Sequence, residues 1–228
     1  ALISVKLNDL LVKKHGWNSH ECKRVWAFAP YINPSNIIVD STTGVCYMNE
    51  IKAAVIAGFT HSIENGVICE EQIRGIRFNI TDVSLHADAI HRGMGQIMPT
   101  TRDAIYACVL ANTPVLYEPY FEVTITTIKE KIGTIYSCFS YKRGEIINEE
   151  SDENTPVVTM TGHLPVIESI GFDSYIKKET SGQAFPNMTF SHWKQMDNKN
   201  NTEFIAKTRT RKNLNPDMPQ LENYLDKL

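Results

Sequence analysis

Between residues 47 and 66 the apolar positions Ile51, Val55, Phe59 and Ile63 recur at every fourth residue, and Gly66 follows the run. Four-residue spacing stacks side chains on one helical face, so the pattern predicts a helix over 47–66. Residues 73–85 alternate instead, with Ile76, Phe78 and Ile80 separated by polar neighbours, the period of a half-buried strand. The short β-branched run 35–40 predicts another strand. A second helix is predicted over 99–112, with Pro99 near its N-terminus and Ile105, Cys108 and Val109 on one side.

Two prolines within 112–119 mark a boundary. Beyond it the pattern predicts a strand over 120–127, a helix near 128–141, a strand over 144–149 and an acidic loop over 149–156. A strand over 157–162, a helix near 166–178 and a last strand over 183–193 complete the series. The fold class is α+β, and the order β-α-β-β-α-β of the second half is that of a ferredoxin-like split βαβ unit. A polar stretch over 194–203 reads as a loop. The basic stretch 206–213 reads as a solvated charged surface or a helix face on RNA, and a leucine-bearing end follows.

Composition narrows the class only a little. The 228 residues carry 42% hydrophobic and 21% charged side chains and a formal net charge of −3, so no global basic field draws nucleic acid. Five cysteines without a CxxC pair predict reduced thiols and a cytoplasmic location. The Asn-x-Thr triplets at 79, 187 and 200 are then expected to be chance matches. No apolar run approaches a membrane-spanning length, and no membrane partner is expected. The opening "ALISVKLNDLL" lacks a charged segment ahead of an apolar core and reads as the middle of a longer sequence.

The densest chemistry lies in "DVSLHADAIHRGMGQIMPT", residues 82–100. His86, Asp88 and His91 are metal-ligand types, and a metal-dependent hydrolase is one reading, though no further ligand cluster stands elsewhere in the sequence. A histidine oriented by a carboxylate suits acid–base work, but no nucleophile motif accompanies it. Gly93-Met94-Gly95 is too short for a phosphate-cradling loop and reads as a turn. A projecting loop with His91, Arg92 and Gln96 would also suit RNA contact, with the glycines permitting close approach. A solvated loop with one capping aspartate fits the residues equally well.

The same string, "LHADAIHRG-GQI-PT", resembles the tip sequence of the elongation factor 2 family of translocation GTPases, including the histidine converted there to diphthamide. By that resemblance His91 is the modified histidine and His86 the unmodified one upstream. "RVWAFAP", "EEQIRGIRFNITDV", "RDAIYA", "EPYFEV", "YKRGEI", "LPVIESIGF", "GQAFPNMTFSHW" and "YLDKL" follow family segments in order. Spliceosomal and ribosome-maturation GTPases share the architecture, and "HADAIH" with "YLDKL" favours elongation factor 2 over both.

The resemblance implies a ribosomal-protein-like α/β domain IV over 1–116, lacking its first strands. It further implies a ferredoxin-like domain V over 117–193 and a segment 194–228 returning to domain IV. His86, Asp88, Ile90, His91, Arg92, Gly93, Met94, Gly95 and Gln96 become the tip facing tRNA and rRNA, with Arg92 and Gln96 as hydrogen-bond donors. Implied partners are the ribosome (its small-subunit decoding region, tRNA–mRNA and the large-subunit GTPase-associated region), the diphthamide-synthesis enzymes and ADP-ribosylating toxins. GTP and Mg belong to an N-terminal domain outside this sequence, so no cofactor and no catalysis are expected here. Four departures stand out: Met94 replaces the middle glycine of "RGGGQ", Asp103 a basic residue, Ile170 a phenylalanine and Ser181 a glycine. Met94 is expected to restrict the backbone of the tip.

Overall fold

The computed structural model describes residues 5–151, 155–196 and 198–225, leaving aside the side chains of 5–8 and 198–200. Part of the expected acidic loop (152–154) and the last three residues therefore lie outside the described residues. The chain divides into two compact units, the first made of 1–114 with 203–228 and the second of 115–202.

In the first unit, α1 (Val5–His15) and α2 (Ser19–Lys23) precede β1 (Val25–Ala29) and β2 (Asn36–Asp40). Asn18 caps α2 with a reciprocal bond to Glu21, a capping box. β1 runs antiparallel to β2, and β3 (Arg77–Ile80) lies parallel on the other side of β2. Helix α3 (Met48–Glu64) buries the face its spacing predicts: Ile51, Val55, Phe59 and Ile63 are all nearly inaccessible. Helix α4 (Met94–Leu110) packs along α3 and approaches it tightly at Gly58, where an added Cβ would sit 2.7 Å from the Met98 carbonyl oxygen. Lower down, the Tyr106 hydroxyl donates to the Asn65 carbonyl.

Several elements differ from expectation. The strand expected over 73–85 is confined to β3, because its one neighbour, β2, ends at Asp40 opposite Ile80. α4 starts at Met94 rather than at Pro99, and Pro99 lies inside it. β1, α1 and α2 carry too little alternation or length to be read from pattern. The polar 194–203 region expected as a loop contributes to α8 (Asn198–Arg211), whose Ile205 and Arg209, four residues apart, are both buried.

The second unit follows the expected order. β4 (Tyr117–Ile128) leads into α5 (Ile132–Tyr141), β5 (Glu145–Ser151), β6 (Val157–Pro165), α6 (Val166–Ser169), α7 (Phe172–Glu179) and β7 (Phe185–Gln195). The sheet order is β5-β6-β4-β7 and every neighbouring pair is antiparallel. Val123, Ile125, Val158 and Met160 alternate inward against Phe139 and Phe172 on the helices. Pro119 is tolerated within β4 because β6 pairs only from Tyr120 onward. The helix expected over 166–178 is broken at Gly171, whose φ of 75° is left-handed.

Candidate functional site

β3 ends at Ile80 and α4 begins at Met94, so residues 81–93 cross without a sheet ladder, and their one regular element is a 3-10 turn over Ala89–Arg92. Backbone groups there are answered by side chains, local turns or solvent rather than by a neighbouring strand. Asp88 caps the turn, its Oδ1 accepting the Ile90 N–H at 3.2 Å, while the His91 N–H donates to the Asp88 carbonyl at 3.2 Å. The Asp88 N–H donates to His86 Nδ1 at 3.0 Å, which makes that ring nitrogen an acceptor. The His86 and His91 rings then meet edge to face, 4.4 Å between centroids.

Arg92 does more than these local bonds. Its Nη1 donates to the carbonyls of both His86 and Ala87 at 2.7 Å, and its Nε donates to Glu50 Oε2 at 2.8 Å. Nη2 lies 2.7 Å from the same carboxylate oxygen, and the guanidinium carbon lies 4.0 Å from the ring centre of Tyr47. The side chain is 6% exposed. Fixing the backbone of residues 86–91 costs about 1–2 kcal/mol for each residue. The local bonds return about 0.5–1.5 kcal/mol apiece and do not offset it. The buried guanidinium, with its charge-assisted bonds, is the larger ordering contribution in the loop.

Four of the five Arg92 N–H donors are thus used inside the protein, which places the side chain beneath the loop rather than at its surface. Sequence reasoning missed Glu50 and Tyr47 altogether. They flank the start of α3, about 40 residues upstream of the motif, and no local pattern ties them to it. Glu50 does occupy the first turn of α3, where a carboxylate is favoured by the helix dipole.

The other tip residues stay at the surface. His86, Asp88, His91, Gly93, Gly95 and Gln96 are exposed, Ile90 is 76% exposed and Met94 54%. Gly93 is the N-cap of α4, with an extended backbone, and its carbonyl accepts from the Gln96 and Ile97 N–H groups. Gly93-Met94-Gly95 is therefore a helix start rather than a free-standing turn. Met94 has no left-handed φ, so its side chain restricts nothing that the loop requires. Ser181 is the opposite case, held at φ 57° in a region that glycine enters freely.

Among the described residues no group of three or more His, Cys, Asp or Glu side chains is placed to hold a metal ion. The metal-dependent hydrolase reading of His86, Asp88 and His91 therefore finds no support in the geometry. The basic stretch 206–213 is largely occupied within its own unit. Arg209 is buried and donates to the carbonyls of Ile68 and Asn215, and Lys212 reaches the Glu70 carbonyl and the Glu71 carboxylate. Asp103 lies beside Arg102 and bonds to it at 2.9 Å, cancelling that charge. No helix among the described residues is long and apolar enough to cross a membrane.

Comparison with known families agrees with this division of the chain. Residues 3–112 match the family model for domain IV of elongation factor G, and residues 115–203 match the one for the elongation factor G C-terminus.

Proposed function

The chain belongs to the elongation factor G family, carrying its domain IV and its C-terminal domain, and on that premise we propose that it is the elongation factor 2 member of that family. Ribosomal translocation is the family's work. In this reading the loop 86–96 enters the A site of the small ribosomal subunit, beside the codon–anticodon duplex, with His91 carrying diphthamide. The supporting observation is the exposed His91, set in "LHADAIHRG" on a loop whose backbone is held from beneath by Arg92.

The role of each side chain follows from its position. Modified His91 brings a fixed positive charge to phosphate or ribose oxygen, an attraction that salt weakens. Gln96, exposed in the first turn of α4, supplies amide hydrogen bonds to RNA. Exposed Ile90 and Met94 offer apolar surface to bases or ribose. Asp88 shapes the turn, and Arg92 acts from inside. The second unit approaches the large-subunit GTPase-associated region. GTP and its magnesium ion belong to the nucleotide-binding domain of the full-length factor, and no catalytic residue is assigned here. Diphthamide-synthesis enzymes and ADP-ribosylating toxins act on His91.

Peptide mass spectrometry of the protein from its native host tests the assignment. Diphthamide mass on the peptide containing His91 is the expected result. An unmodified His91 in native material would overturn the elongation factor 2 assignment and leave the broader family membership in place.

A further inference from the structure

We infer that Glu50, acting through Arg92 and with Tyr47 beneath the guanidinium, is the positioning residue that sets the geometry in which His91 is presented. The consequence for modification rests on the proposed function, whereas the positioning itself rests only on the contacts. Glu50 projects from the first turn of α3, whose next turns are locked by buried Ile51 and Val55. A carboxylate on so rigid an element is a fixed reference point. One guanidinium links it to two consecutive carbonyls, those of His86 and Ala87. Fixing those carbonyls fixes the backbone entering the 3-10 turn, and with it the His86 ring that meets His91 edge to face.

Each partner is suited to that task for a separable reason. Arginine offers a planar fork whose separated nitrogens serve the carboxylate on one side and both carbonyls on the other, a geometry that an ammonium group, with its three donors on one atom, does not reproduce. Glu50 is 49% exposed, so its contribution is geometric more than a large stabilisation of the fold. Tyr47, with a left-handed φ of 64°, turns its ring under the guanidinium just ahead of α3. Loss of the carboxylate therefore frees the loop before it unfolds the unit.

The test uses the full chain with Glu50→Gln and Arg92→Lys. In the unsubstituted protein, ¹⁵N relaxation of residues 86–92 should give order parameters near the rigid value of about 0.85. In both variants they should fall below about 0.6 while residues 51–63 of α3 stay rigid. Arg92→Lys keeps the charge, so a fall there assigns the effect to the fork and not to net charge. Order parameters unchanged in both variants would overturn the inference.

The modified fraction of His91 is the second arm, measured after expression of each variant in the native host. It should fall at least severalfold in Glu50→Gln, with the variant still folded. A mobile loop with an unchanged modified fraction would overturn the presentation step. If the unsubstituted chain is itself unmodified, the proposed assignment fails, and relaxation alone decides the positioning role.

Discussion

The two units satisfy their backbones by different means. In the second, the long strand β4 is paired along both edges, helices cover one face, and the core comes from elements contiguous in sequence. In the first, a three-stranded sheet leaves residues 81–93 without a ladder, and Arg92, anchored on Glu50, holds the loop carbonyls instead. Side chains brace the rest of the unit over long sequence distances too: Arg209 reaches the Ile68 carbonyl, the Cys69 thiol reaches the Ile205 carbonyl, and the Tyr224 ring meets the Tyr106 ring edge to face at 5.4 Å. A ladder fixes many residues with little sequence demand, whereas a side-chain brace fixes a shape that no ladder would give. The candidate site lies where the second method is used.

The strongest way to break this comparison is to damage each core separately. Phe59→Ala in the first unit and Phe139→Ala in the second should each cost about 3–5 kcal/mol. Amide exchange read unit by unit should show the loss in the unit that carries the substitution. Equal loss in both units from either change would show that the cores unfold as one. Arg209→Ala comes next. It removes donors from two carbonyls and should lower the stability of the first unit by about 1.5–3 kcal/mol, leaving exchange in the second unit unchanged. Replacement with lysine should recover only part of the loss.

Two smaller changes sharpen the picture. Ser181→Gly should stabilise the second unit by about 1 kcal/mol by relieving a left-handed residue. Met94→Gly should destabilise α4 by up to about 1 kcal/mol. Denaturant midpoints of the two variants should therefore move in opposite directions.

The least effect concerns pH. Burial, and then the neighbouring His192 ring, push the His163 imidazole below its ordinary value. Between that lowered value and about 6.5, the unfolded chain binds more protons than the folded one. Stability should thus fall as pH drops through this window and level off below it. His163→Gln should flatten the slope in the second unit's thermal midpoint; an unaltered slope would assign the dependence elsewhere.

The same contrast governs what is legible in the sequence. Period-two alternation in Val123, Ile125, Val158 and Met160, and four-residue spacing in Ile51 to Ile63, are local signals of burial, and both can be read directly. Helix α8 is hidden because its buried face rests on Ile205 and Arg209, and an arginine does not announce burial. The break at Gly171 depends on a single backbone angle, which periodicity does not register, and the early start of α4 is masked by Pro99, which pattern reads as a helix opening although it lies inside the helix. The motif alone names the exposed tip residues. It does not reveal that Arg92 turns inward, because the partner Glu50 belongs to another element, and distance along the sequence erases the signal.

Gly93 as the cap of α4, with Met94 already helical, bears on how such a sequence can drift. A position that serves only as the first residue of a helix accepts most side chains, and methionine there has a higher helix propensity than glycine. A left-handed position does not, and the serine at 181 carries strain that a glycine there would not. Position 94, beside His91, is therefore free to take most residues at no cost to the backbone, while position 181 rewards glycine.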